Sequence, residues 1–182
     1  MDYLREDIFK VCFQRYDGKF AGSQRANNKF DAEPLQWHKL LRPLVADAVA
    51  ALGMLYKPDM VVPMPNGANW LGLDVAYLLG TALLLLCKNE ETGEISYQPG
   101  GQQQLETAKR VLYVEDVPNR RSTTIKALAL PGMAERVVAE VAILDRGMPD
   151  EKLPLQIPVK AMFVEPIPAM LPKNSPYWRY AS

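Results

Sequence analysis

The residues best placed to do chemistry lie in the stretch 111–124, which reads VLYVEDVPNRRSTT. Four apolar residues predict a short buried strand that delivers Glu115 and Asp116 to its mouth. Adjacent carboxylates there can accept hydrogen bonds from the vicinal hydroxyls of a sugar. The backbone N–H groups that open the next helix, together with Ser122, Thr123 and Thr124, can hold a phosphate. A sugar phosphate such as ribose 5-phosphate needs these two functions side by side. Two further places join them as candidates. One is the turn Asn66-Gly67-Ala68-Asn69, which follows another apolar run, and the other is Arg146, next to Asp145 at the end of a third. Taken alone, Asn66-Gly67 is an ordinary turn dipeptide.

Composition narrows the classes of function. The chain has 182 residues, 48% apolar and 23% charged, which suits a soluble globular domain with a sizeable core. Lys plus Arg equals Asp plus Glu at 21 each, so no basic excess points to nucleic acid or an anionic membrane as the main partner. Cys12 and Cys87 stand apart, and His38 is the single histidine, so no zinc-ligand spacing exists. Two isolated cysteines fit a reducing compartment. The N-terminus lacks the basic and apolar regions of a signal peptide, and the apolar run 78–87 is too short to span a bilayer. A cytoplasmic protein is expected.

These candidates need elements to position them. A first helix capped by Asp2 is expected to run to Asp17-Gly18, and the polar stretch 19–34 reads as a loop or a short hairpin. The clearest helix is 35–52, with Gly53 placed to end it. Strand 60–64, the turn, helix 70–79 and a buried strand 81–87 make a βαβ unit. The polar segment 88–110 reads as a long loop, with short strands around 94–98 or as a disordered insertion. Strand 111–114, helix 123–130, strand 137–144 and strand Val159–Val164 complete the pattern. The fold class is therefore α/β, a doubly wound parallel sheet, whose ligands sit at the carboxyl ends of the strands. Three segments are expected: an N-terminal helix with a hood-like stretch over 1–34, the α/β domain over 35–168, and a Pro- and aromatic-rich tail over 169–182. Trp37, Trp70 and Trp178 read as packing anchors, and His38 as a helix-packing or surface residue.

The stretch 111–124 resembles the ribose-phosphate motif of the type I phosphoribosyltransferases: an apolar strand, two acids, an apolar pair, then a hydroxyl-bearing loop. Within that group the chain looks most like the orotate enzymes. Residues 61–79 are similar to the family's strand, diphosphate-binding loop and helix, and 141–146 to its strand ending in Asp-Arg. The resemblance covers roughly 35–168. It implies the following roles. Glu115 and Asp116 hold the ribose as positive charge develops at C1. Arg120, Arg121, Ser122, Thr123 and Thr124 hold the 5-phosphate, while Asn66, Gly67, Ala68, Asn69 and Lys88 face the leaving diphosphate. Arg146 orients the base. It also implies Mg²⁺ carried mainly by the substrate, phosphoribosyl diphosphate and a nucleobase as partners, and a homodimer. Two departures stand out. Asn119-Arg120-Arg121 occupies the place of the family's Thr-Thr-Gly, where the arginines either supply charge to the phosphate or fill its pocket. The segment 89–107 holds no Lys, Arg or His to match the family's loop lysine and histidine. Two other readings stay open: a nucleotide-binding relative without turnover, and an interaction module whose tail docks a partner. A receiver domain also carries an acidic pair, but too little chain follows Asp116 for its later strands.

Overall fold

A computed structural model describes residues 2–19, 25–118, 121–146 and 157–181. Its centre is a five-stranded parallel sheet. The strands are β3 (Met60–Pro63), β4 (Ala82–Leu83), β7 (Val111–Glu115), β8 (Val137–Asp145) and β9 (Val159–Val164), in the order β4-β3-β7-β8-β9. The expected doubly wound α/β class is the one observed. Both faces of the sheet are covered, so successive residues are apolar without alternation. Leu112 and Val114 pack with Val141 and Ile143 against α2 (Leu41–Met54) and α3 (Asn69–Leu79). Val62 and Tyr113 face the other way, towards Ala127 and Leu128 of α5 (Ser122–Leu128). The strand order reverses between β3 and β7, and both run in the same direction. The crevice beyond their carboxyl ends is the position from which such sheets bind ligands.

Helix α2 begins later than the spacing predicts. Residues Glu33–Trp37 form a 3-10 turn, and α2 starts only at Leu41. The reason is Pro43. A proline deep inside a helix lacks the donor and clashes with the preceding turn, but in the first turn its missing N–H costs nothing. His38 precedes the helix, and its Nδ1 accepts the Leu41 N–H at 3.2 Å. Gly53 lies within α2 and does not end it. A Cβ there would stand 2.5 Å from Leu112 Cδ2, so the glycine lets the helix press onto the sheet.

The expected strand over 81–87 is split. β4 pairs with β3 through Met60 and Val61 only. The next rung would need an amide hydrogen from Pro63, which has none, and the chain leaves the sheet. It then forms β5 (Leu86–Lys88), antiparallel to β6 (Ile95–Tyr97), followed by α4 (Gly101–Glu106). The segment read as a long loop or disordered insertion is thus a hairpin and a helix. Leu84, Leu86 and Leu105 seat it in the second core cluster.

The N-terminal segment also differs from expectation. α1 (Asp2–Cys12) stops well before Gly18, and β1 (Phe13–Lys19) pairs antiparallel with β2 (Arg25–Phe30). Phe9 explains the turn back, because its ring meets Phe30 edge-on at 5.2 Å and Tyr180 of the tail at 5.3 Å. The tail is folded in rather than displayed: Leu171 and Tyr180 belong to the main core cluster. That removes the expectation of a tail free to dock a partner. Trp37 is 77% exposed and is not a packing anchor, whereas Trp70 is buried.

Candidate active site at the strand ends

At the point where the strand order reverses, the loop after β3 meets the acidic pair after β7. The approach is close. A Cβ on Gly67 would stand 2.6 Å from Asp116 Oδ2, so only glycine leaves the carboxylate its place. Asp116 Oδ1 accepts the Val117 N–H at 2.7 Å, which fixes the carboxylate against its own turn. The acid thus stands at the mouth of a parallel sheet with one oxygen towards the glycine loop.

Around this contact lies a cavity of about 580 Å³. Asn66, Gly67 and Asn69 line it from the β3 loop and α3, and Asp116 and Val117 from the β7 turn. Arg146 lines it from the end of β8. The remaining wall was not singled out from the sequence: Lys29, Phe30, Asp31, Glu33 and Gln36 come from β2 and the 3-10 turn, and Trp70 from α3. Its only signal was Phe30 and Trp70, large aromatic residues beside polar stretches. Two wall atoms, Asn69 Oδ1 and Trp70 Nε1, are buried without a hydrogen-bond partner among the described residues.

The other predicted residues are placed as follows. Glu115 is half-buried below Asp116, and its Oε1 accepts the Asp116 N–H at 3.2 Å. Burial first, then the charge of Asp116, pushes its carboxyl well above the usual range. Ala68 is fully buried, and its N–H donates to the Met64 carbonyl at 3.2 Å. Lys88 belongs to β5 and does not line the cavity. Asn66 instead meets the tip of that hairpin, donating from Nδ2 to Glu90 Oε1 at 2.6 Å.

In the expected phosphate loop, Arg120 lies outside the described residues. Arg121 has a left-handed backbone, φ 52°, and its Nη2 donates to Asp145 Oδ2 at 2.9 Å. Both side chains of that pair are less than one-fifth exposed, so the guanidinium is turned inward. Ser122 is exposed and Thr123 half-buried at the start of α5. Thr124 is fully buried and adjoins Glu140 on β8, a carboxyl with no solvent exposure. None of the three oxygens makes a well-aligned hydrogen bond among the described residues. Burial raises the Glu140 carboxyl, and Thr124 and Arg121 pull it part of the way back.

Arg146 is 3% exposed. Its Nε and Nη2 donate to the Ile167 carbonyl at 3.1 and 2.8 Å, and Nη2 also to Asn28 Oδ1 at 3.0 Å. Burial lowers its pKa to about 10. Asn28 Nδ2 returns to the Pro168 and Ala169 carbonyls, both at 2.9 Å, so Arg146 sits in the seam between hood and tail.

Solved structures share this fold at low sequence identity. An orotate phosphoribosyltransferase from Aeropyrum pernix superposes with a TM-score of 0.67 at 14% identity, over 87% of this chain and 93% of its own. An adenine phosphoribosyltransferase from Rhodothermus marinus gives 0.67 at 17%, over 90% and 99%. The fold is that of the type I phosphoribosyltransferases. A UMP synthase from Leishmania donovani matches this phosphoribosyltransferase fold with a TM-score of 0.69 at 18% identity over 90% of this chain, which spans only 36% of that longer protein. No family model and no curated protein sequence matches the chain. No described helix is long and apolar enough to cross a membrane.

Proposed function

We propose that the protein transfers ribose 5-phosphate from phosphoribosyl diphosphate to a nucleobase. The observation that carries this reading is the meeting of Asp116 with the Gly67 loop at the reversal of strand order, inside a phosphoribosyltransferase fold. In this reading Asp116 accepts hydrogen bonds from the ribose hydroxyls as positive charge develops at C1. Glu115 backs it from below, and the Asn66 and Gly67 amides face the diphosphate, while those of Ala68 and Asn69 bond within the turn. Rate enhancement of this kind comes from positioning and electrostatics, with no group on the protein becoming covalently bound. No cluster of three acidic, histidine or cysteine side chains that could cage a metal occurs among the described residues. Mg²⁺ would enter with the substrate, and Asp116 is the carboxylate that would stand beside it. When bound it neutralises charge on the leaving diphosphate.

The resemblance gives Arg146 the orientation of the base, and its guanidinium is engaged with Ile167, Pro168 and Asn28. A nucleobase is the class of acceptor this reading commits to. A homodimer belongs to the same reading, and exposed apolar residues on α2 and α3 support it. A second reading, binding without turnover, is favoured by one observation: Arg121, expected at the 5-phosphate, is tied down by Asp145.

Calorimetric titration with phosphoribosyl diphosphate and Mg²⁺ tests both readings, beside the variant Asp116→Asn. The expected result is binding by the wild type, weakened about tenfold or more in the variant, equivalent to ~1.4 kcal/mol. Diphosphate release in the presence of a base then separates transfer from binding alone. A folded wild type that binds nothing rules out both.

A further inference from the structure

Resting on that reading, we propose that the acceptor is an uncharged nucleobase, and that the Lys29–Asp31 pair in the hood is what turns an anionic one away. Two cations line the cavity, and each already has partners. Lys29 Nζ lies 2.6 Å from Asp31 Oδ2. Arg146 is buried, with its Nε and Nη2 directed at the Ile167 and Pro168 carbonyls and Asn28 Oδ1. Three carboxylates, Asp31, Glu33 and Asp116, line the same cavity. The wall therefore carries three carboxylates against two cations; Lys29 is paired with Asp31, and Arg146 spends its Nε and Nη2 on neutral carbonyl and amide oxygens.

A carboxylate-bearing base entering this space loses its hydration and meets like charge. Burying a charge without a counter-charge is costly, and repulsion between like charges grows as the entering ring displaces water from the wall. An uncharged planar ring meets no such penalty. Phe30, Trp70 and Val117 supply apolar wall, and the carboxylates of Asp31 and Glu33 with the Gln36 amide supply acceptors for ring and exocyclic N–H groups. Asp31 has a second task that keeps the pair in place: its Oδ1 accepts the Glu33 N–H at 3.1 Å, which anchors the 3-10 turn beside the cavity.

Uracil and orotate isolate the charge, because they share one ring and differ by the carboxylate. The experiment is equilibrium binding of adenine, uracil and orotate to the full-length protein, with and without saturating phosphoribosyl diphosphate and Mg²⁺. Uncharged bases should bind at least about tenfold more tightly than orotate. Asp31→Asn leaves Lys29 without its counter-charge, and orotate affinity should then rise relative to uracil by about tenfold. Glu33 is exposed, so Glu33→Gln provides a second variant with little risk to folding, and it should narrow the same ratio in the same direction. Tighter binding of orotate than of uracil by the wild type, with phosphoribosyl diphosphate bound, overturns this inference and leaves phosphoribosyl transfer standing. A uracil-to-orotate ratio unmoved by both variants overturns the role of the pair. Failure of phosphoribosyl diphosphate and of every base to bind removes the transfer reading and this inference together.

Discussion

At the scale of single residues, a glycine and a buried carboxyl make the sharpest statements. Gly67 has no strained backbone and is exposed, so its side chain is absent for one reason, the 2.6 Å approach to Asp116. Gly67→Ala should cost little stability, under about 1 kcal/mol, yet displace the Asp116 carboxylate and weaken phosphoribosyl diphosphate binding about tenfold. Thermal melting and calorimetry on one preparation check both halves. Glu140 makes a prediction about pH. Burial holds its carboxyl above the usual range, Thr124 and Arg121 pull it part of the way back, and Asp145 pushes it further up. Glu115, also raised, lies on the same face of the sheet. A raised carboxyl keeps its proton in the native state after the unfolded chain has lost it. Stability is therefore highest near and below the ordinary carboxylate pKa and falls as pH rises through the folded value. Glu140→Gln should flatten that fall and stabilise the protein at pH 8 by about 1–2 kcal/mol, with little change at low pH. Urea unfolding at several pH values measures it. A variant less stable at pH 8 would show that the carboxylate is ionised and paired in the native protein.

Elements show how far sequence patterns reach. The strands β3, β7, β8 and β9 and the helices α3 and α5 were legible, because uninterrupted apolar runs between polar turns have one reading when both faces of a sheet are covered. The acidic pair was legible for the same reason, since Glu115 and Asp116 end such a run. What periodicity missed was set by single residues acting at a distance. Pro43 moved the start of α2, Pro63 ended the β4 ladder, and Leu112 required Gly53 inside a helix. Five of the twelve residues of the cavity wall were hidden in the stretch before α2, whose partner is the far end of the chain. Asn27 and Asn28 looked like turn residues, but their amides bind the Leu171, Pro168 and Ala169 carbonyls at 2.8–2.9 Å, contacts no local pattern reveals. Arg146 completes this seam. Arg146→Ala leaves Asn28 Oδ1 and the Ile167 carbonyl without their buried donor and should destabilise the protein by about 3 kcal/mol. Faster amide exchange confined to 25–30 and 167–171 would locate the damage at the seam; uniform loss of protection would mean that Arg146 supports the whole domain instead.

At the scale of the whole molecule, α1 and the tail bury their aromatic rings against each other, while α2 and α3 leave apolar side chains in water. The tail and α1 close over each other through Phe9, Tyr177 and Tyr180. The opposite situation holds on α2 and α3, which are joined by the two-pronged ion pair of Arg42 with Asp74 at 2.7 and 2.9 Å. Beside that pair Tyr77 is 86% and Leu73 52% exposed, with Leu44 exposed on α2 and Leu40 exposed just before it. Several large apolar side chains left in water on adjacent helices mark an interaction surface. A second copy is the occupant proposed here. A two-fold contact pairs one patch with itself, and a chain of zero formal net charge does not repel its twin at long range. The face also begins at the cavity, since Asn69 and Trp70 open the helix that carries Leu73 and Tyr77. Sedimentation should find a dimer, and Tyr77→Glu should make it a monomer without lowering its folded helix content, because the substituted side chain touches solvent in the single chain. If the monomer also binds phosphoribosyl diphosphate more weakly, α3 transmits the contact to the cavity; a wild type that sediments as a monomer removes the dimer from the reading and leaves the cavity's chemistry untouched.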